Sequence, residues 1–193
     1  MKEIWLVRHT TPKIAKGIAY GQADLDVIDA YPSERNRIKG FLQGQYNAQT
    51  PVYTSPLKRC HLLATDLAAT LGNELKVDDR LMEMNFGVWE QTAWNDIPQE
   101  TLAPWMNDFV NYRVPEGECF LDVHTRVVSF WDDLLQTNAE KVIVSTHSGV
   151  IRTLLCHVLD IPLKNAFRLD LHYGTISKLT HHKDLSKVVY FNH

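Results

Sequence analysis

The sequence predicts an α/β fold, a three-layer sandwich with a mostly parallel central sheet and helices on both faces. Short apolar runs that end in turn residues alternate with longer segments whose apolar residues recur at helical spacing. This alternation is typical of the strand–helix–strand units that build a parallel sheet. The 193 residues, 45% of them hydrophobic, are enough to bury one sizeable core. We therefore expect a single domain over residues 1–193, with a lid or insertion at about 91–117.

The first half of the chain supplies two strands and two helices. Residues 3–7 (EIWLV) predict a short buried strand, and 51–56 (PVYTSP) predict a second one that ends in a turn. Ser33 is a candidate cap for the helix between them, whose apolar positions are Ile38, Phe41, Leu42 and Tyr46. The next helix is predicted over 57–71, with an apolar face made of Cys60, Ala64, Leu67, Ala68 and Leu71.

The second half continues the alternation. A third strand at 75–78 (LKVD) is followed by the loop RLMEMNFGVWE. A long helix is predicted over 120–135, with an inward stripe of Val123, Val127, Phe130, Trp131 and Leu134. The fourth strand, 141–149 (KVIVSTHSG), leads directly into another helix. Three late segments resemble strands, the first two of them at the sheet edge: 167–172, 175–179 and 187–191.

Composition excludes several classes of partner. The formal net charge is −3 with both signs scattered, which gives no electrostatic reason to expect nucleic acid or an anionic membrane as a partner. No apolar run reaches membrane-spanning length, and the N-terminus has no signal-peptide pattern. The three cysteines are far apart and outside any CxxC pair. We expect a cytoplasmic protein with reduced thiols, and leave a homodimer open.

Five residues that can carry chemistry lie at strand ends, at a helix start or in a loop that follows a strand. Arg8 and His9 end the first strand, in LVRHTTP, and His147 ends the fourth. Arg59 begins the helix after the second strand, and Glu83 lies in the loop after the third. Ligands of such sheets bind beyond the carboxyl ends of the strands, so the fold is expected to gather these residues at one rim.

Together these side chains suit phosphoryl transfer. Two guanidinium groups bind a phosphate dianion, and backbone N–H groups at the helix start after His147 add anion contacts. An imidazole among cations has a lowered pKa, so His9 keeps a lone pair for attack on phosphorus. Glu83 can give a proton to the leaving oxygen and later take one from water. The set needs no metal and no cofactor, and its partner is a small phosphorylated metabolite.

Four motifs in order resemble those of the histidine phosphatase superfamily, the phosphoglycerate-mutase-like proteins. LVRHTTP resembles the Arg-His signature, and TSPLKRC (54–60) resembles the Ser-Pro-Leu-x-Arg helix start. RLMEMNFGVWE (80–90) resembles the Leu-x-Glu-x-x-Phe-Gly-x-Trp-Glu segment, and VSTHSGVIR (144–152) resembles the second histidine block. The four motifs span most of the chain, and together they are far more specific than any one of them.

The resemblance implies a role for each of these residues. His9 corresponds to the phosphorylated nucleophile, Glu83 to the proton donor, and the phosphate pocket to Arg8, Arg59 and His147. The family usually has Gly-Glu after the nucleophilic histidine, whereas this chain has Thr10-Thr11.

The loop GIAYGQADLDV (17–27) resembles that of bacterial alpha-ribazole phosphatases, which act in cobalamin nucleotide-loop assembly. This implies alpha-ribazole 5′-phosphate as substrate. Further candidate substrate contacts are Tyr20, Gly21, Gln22 and the helix-start residue Ser148. A lid over a flat base would come from the aromatic residues Trp89, Trp94, Trp105 and Tyr112.

Other interpretations of the same residues remain open at this point. Arg8 and His9 could simply be charged residues at a solvent-exposed strand end. Glu83 could be an ordinary solvated carboxylate in a loop, and residues 20–22 could be a turn without a role in binding. A mutase, or a broad sugar-phosphate phosphatase, would share the core residues and differ in the lid. A non-catalytic phospholigand-binding module would be expected to lack a core residue, and none is missing.

Overall fold

The computed structural model describes residues 1–193, with six strands and five α-helices. The strands are β1 (Lys2–Arg8), β2 (Val52–Thr54), β3 (Leu75–Val77), β4 (Lys141–Thr146), β5 (Ile176–His182) and β6 (Leu185–Tyr190). The helices are α1 (Tyr31–Leu42), α2 (Lys58–Ala68), α3 (Gln99–Asn107), α4 (Phe120–Gln136) and α5 (Ser148–Val158). No helix combines the length and the apolar character needed to cross a membrane.

One six-stranded sheet runs through the molecule in the order β3-β2-β4-β1-β5-β6. Its first four strands are parallel neighbours, and β5 joins β1 in antiparallel pairing, with β6 beyond it. The predicted α/β class with a mostly parallel sheet is confirmed. Because the four parallel strands end at the same edge, the loops that follow them meet there.

Successive side chains of β1 point to opposite faces of the sheet and belong to two different core clusters. Ile4 and Leu6 pack in the larger cluster with α4 and α5, whereas Trp5 and Val7 pack in the smaller cluster with α1 and α2. Successive side chains of a strand point to opposite faces, so a run with no polar break must be covered on both sides. This burial fixes the carboxyl end of β1, where Arg8 stands.

Segment 91–117 packs against the larger core cluster. It contains α3, a helix not predicted because Pro104 lies within it. Leu102 and Val114 are buried, and the Trp105 ring lies 5.6 Å from Trp94 and 5.8 Å from Trp89, centroid to centroid. Whether this segment acts as a lid stays a prediction.

Three local expectations were wrong. The first helix starts at Tyr31 rather than after Ser33, and Ala30 occupies the cap position without a side-chain cap bond. Helix α2 ends at Ala68, which leaves Leu71 44% exposed rather than on the buried face. Residues 167–172 form no strand. The other predicted edge strand, 175–179, corresponds to β5, which lies inside the sheet between β1 and β6. The edge strand on this side is β6.

Candidate active site

The ends of β1 and β4 bring the two predicted histidines together. The strands are paired in register so that Arg8 is opposite Thr146, and the His9 N–H donates to the Thr146 carbonyl over 3.0 Å. His9 and His147 therefore follow at equivalent points of neighbouring parallel strands. Their ring centroids lie 5.1 Å apart, and both side chains are almost fully buried.

Both imidazoles are held in the neutral form. Burial lowers the pKa of His9 well below its ordinary value, and the positive charges of Arg59 and Arg8 lower it further. Nδ1 of His9 lies 2.7 Å from the Thr10 carbonyl, which can only accept, so Nδ1 carries the proton. The lone pair of His9 is therefore on Nε2. Burial, followed by Arg59, likewise lowers the pKa of His147.

Protein stability should depend on pH through these two histidines. Below about pH 6.5 the unfolded chain takes up protons at His9 and His147 that the folded chain does not, so the free energy of unfolding should fall from about pH 7 to about pH 5. The steepest loss is about 1.4 kcal/mol per pH unit for each histidine. Urea denaturation at a series of pH values measures it. His9→Asn should flatten the slope, whereas His182→Ala, at an exposed site, should not; an unchanged slope in His9→Asn contradicts this account.

Arg59 is fully buried and holds the loop at residues 20–23 from one side. Its guanidinium donates to the carbonyls of Gly21 and Ala23. On the other side Glu90 accepts four backbone N–H bonds of 2.8–3.1 Å, from Gly21, Gln22, Ala23 and Phe86. The loop is therefore fixed between a buried cation and a carboxylate. Arg59 forms no ion pair, so its charge is not neutralised by a neighbouring acid.

Glu83 is buried beside the start of α5. Its carboxylate accepts the Gly149 N–H over 3.1 Å and lies 3.3 Å from the Ser148 hydroxyl. Its own carbonyl accepts bonds of 3.0 Å from the side chains of Gln22 and Arg126. Both the backbone and the carboxyl group of Glu83 are thus fixed relative to the helix start.

Gly149 allows this close approach, and an alanine there should displace Glu83. An added Cβ would lie 2.2 Å from Glu83 Oε1, the far end of a side chain, so the carboxylate rather than the helix would move. We expect Gly149→Ala to lower kcat/KM for a phosphomonoester about 100-fold, with stability retained because alanine favours a helix. Gly40→Ala in α1, where the Cβ would meet nothing within 4 Å, is the matched control and should keep full activity. Equal activities of the two variants would contradict the prediction.

A cavity of about 230 Å³ opens beside these groups. Its polar lining consists of Arg8, Tyr20, Glu83, Ser148, Arg152 and Tyr173, and its apolar lining includes Phe86, Trp94, Phe120 and Phe167. His9, Arg59 and His147 are buried and do not belong to this lining, although the His9 ring lies 5.5 Å from that of the lining residue Tyr173, centroid to centroid. Tyr173 stacks on the Arg8 guanidinium, 3.9 Å from its ring centroid, and its hydroxyl is hydrogen-bonded to that of Tyr20.

Of the five predicted catalytic residues, Arg8 and Glu83 line the cavity, whereas His9, Arg59 and His147 are buried and do not. Tyr20 and Ser148 line it, whereas Gly21 and Gln22 bond to protein groups and do not. Among the aromatic lid candidates only Trp94 reaches the lining. The catalytic and substrate-binding roles of these residues stay predictions.

Four residues of the site had no predicted role: Glu90, Arg126, Arg152 and Tyr173. Arg152 could have been found, because it lies four residues after Ser148 and so one helical turn above it on the same face. Glu90 and Arg126 bind mainly backbone groups, and such contacts leave no pattern in the sequence. Tyr173 comes from a loop with no regular spacing.

The Thr10-Thr11 departure has a local structural basis. Thr11 donates through both its N–H and its hydroxyl to the Glu34 carboxylate, over 2.8 and 2.6 Å. Thr10 is fully buried, and its hydroxyl has no partner. The carboxylate of α1 therefore anchors the chain directly after His9.

Comparisons with known proteins identify the family and the fold. The family model "Histidine phosphatase superfamily (branch 1)" matches residues 4–193. "Putative phosphoserine phosphatase 2" of Hydrogenobacter thermophilus is 27% identical, covering 100% of this chain and 96% of that protein. "Probable phosphoglycerate mutase GpmB" of Erwinia tasmaniensis is 29% identical over 94% and 86% of the two chains. The alpha-ribazole phosphatase structure from Shigella flexneri has the same fold, with a TM-score of 0.91 and 21% identity, covering 99% of this chain and 96% of that one. The chain belongs to the histidine phosphatase superfamily.

Proposed function

We propose that this chain is a metal-independent phosphomonoesterase that works through a phosphohistidine intermediate. One observation carries the proposal. His9 is neutral, its Nδ1 proton is donated to the Thr10 carbonyl, and it lies close to the guanidinium groups of Arg8 and Arg59, neither of which pairs with a carboxylate. Such a group is a nucleophile beside an unneutralised anion site.

The reaction follows from these positions. The phosphate of the substrate binds Arg8, Arg59, His147 and the backbone N–H groups at the start of α5 other than that of Gly149, which donates to Glu83. Nε2 of His9 attacks phosphorus in line, the ester P–O bond breaks, and Glu83 gives its proton to the departing oxygen. Water then attacks the phosphohistidine while Glu83 takes its proton, which releases inorganic phosphate and restores His9.

Two substrate classes have support. Alpha-ribazole 5′-phosphate, and with it a cytoplasmic role in cobalamin nucleotide-loop assembly, is supported by the resemblance of loop 17–27. Phosphorylated small acids are supported by the relatives named phosphoserine phosphatase and phosphoglycerate mutase. In a mutase the phosphoryl group on His9 would pass to a second hydroxyl rather than to water.

The activity can be tested directly with p-nitrophenyl phosphate. We expect turnover that is unchanged by EDTA, because every step is assigned to side chains of this chain. The same protein assayed with added Mg²⁺ is the control. Strict dependence on a divalent ion, or no turnover of any phosphomonoester, would refute the proposed function.

A further inference from the structure

Arg152 is the one cation of the cavity that the phosphatase mechanism does not use. It lies in α5, four residues after Ser148, which places it about 6 Å further along the helix axis from the phosphate-binding amides. Its Nε donates to the Leu169 carbonyl over 2.9 Å, which fixes the plane of the guanidinium. Its two terminal nitrogens have no hydrogen-bond or ion-pair partner in the chain.

The surroundings of Arg152 make an unpaired charge costly. The side chain is partly buried, and its guanidinium lies 5.2 Å from the centre of the Phe167 ring. Burial lowers the pKa of Arg152; Glu83 opposes this shift, and Arg8 adds to it. Neither Glu83 nor the exposed Asp170 pairs with it. A guanidinium stays charged at every relevant pH, so an anion from outside the chain would stabilise it.

The free end of Arg152 suits a planar anion with two oxygens. The two terminal nitrogens of Arg152 form no hydrogen bond or ion pair within the chain, so they are available to a ligand in the cavity. A carboxylate matches the fork that these two nitrogens make.

We propose that Arg152 forms a second anion site, so that the substrate is a small phosphorylated carboxylic acid whose carboxylate binds Arg152 while its phosphate binds Arg8 and the α5 amides. This inference rests on the proposed phosphatase function and narrows it.

A matched pair of substrates tests the carboxylate alone. O-Phosphoserine and O-phosphoethanolamine differ only in that group, so the wild-type chain should turn over phosphoserine with a kcat/KM about 10- to 100-fold higher. Arg152→Gln should remove this preference by lowering kcat/KM for phosphoserine to that extent, with less than about a threefold change for phosphoethanolamine. Arg168→Gln, at an exposed arginine of the neighbouring 3₁₀ helix, is the control and should keep the preference.

The outcomes separate this inference from the phosphatase itself. Equal turnover of both substrates, or an equal loss on both in Arg152→Gln, would overturn the carboxylate site while the phosphatase function stands. A kcat/KM for alpha-ribazole 5′-phosphate or fructose 1,6-bisphosphate far above that for phosphoserine would also overturn it. Absence of turnover on every substrate, p-nitrophenyl phosphate included, would instead refute the proposed function.

Discussion

Replacing His9 with alanine should lower kcat/KM for p-nitrophenyl phosphate by at least about 1,000-fold. No second group can take its place, because the only neighbouring imidazole, that of His147, is engaged through Nε2 with Ser55 at 2.9 Å. The wild-type protein should also carry phosphate on His9 after rapid mixing with substrate and an alkaline quench, as measured by intact mass spectrometry. The variant should carry none.

Two controls keep the His9 result interpretable. His9→Asn retains a side-chain donor for the Thr10 carbonyl, so it tests the loss of the nucleophile with the local contact preserved. His182→Ala removes an exposed histidine from the end of β5 and should be fully active. If a folded His9→Asn protein kept substantial turnover, or still formed a phosphorylated intermediate, the nucleophile would have to be another residue.

Replacing Glu83 with glutamine should lower kcat/KM for alkyl phosphates about 100- to 10,000-fold, the range expected for loss of a general acid. An alkoxide is a poor leaving group and needs the proton, whereas p-nitrophenolate leaves without one. The loss in the first chemical step should therefore be much smaller for p-nitrophenyl phosphate. Rapid-quench measurement of the phosphorylation step with the two kinds of ester gives the comparison.

The dependence on the leaving group distinguishes acid catalysis from a structural role. Glu83 also binds the Met84 and Gly149 amides, so its loss could disturb the helix start. A structural defect would slow both esters by the same factor, and that result would argue against Glu83 as the acid. Thermal denaturation of the variant shows independently whether the fold is retained.

The sheet could be predicted because its central strands are buried on both faces. β1 and β4 are short and nearly unbroken apolar runs, and a run of this kind is typical of a strand that is buried on both faces. α3 could not be predicted, since Pro104 reads as a helix breaker and only packing of this segment on the core offsets its cost. Residues 167–172 have the alternation of a strand, yet the carbonyls of Leu169 and Leu171 bind Arg152 and Arg8 instead of another strand.

The positions of Arg8, His9 and His147 were predictable for a different reason. Each lies in a motif that resembles one of the histidine phosphatase superfamily, and these motifs fall at strand ends that meet at one edge of the sheet. The residues around them were harder to find, because Glu90 acts on backbone amides and Arg126 on backbone carbonyls. The substrate was hardest, since the cavity walls come from loops and helices whose mutual placement only the folded chain defines.

The loop held between Arg59 and Glu90 has a consequence for how this enzyme could diversify. Arg59 donates to backbone carbonyls of the loop, and Glu90 accepts from its backbone N–H groups. The position of the loop is therefore largely independent of which side chains it carries. Gly21 is the exception, since a Cβ there would lie 1.9 Å from the Met84 carbonyl oxygen. Tyr20 beside it faces the cavity and is free of that constraint. New substrates could therefore be acquired by exchanging outward-facing loop residues one at a time, while the machinery that cleaves the phosphate ester is inherited unchanged.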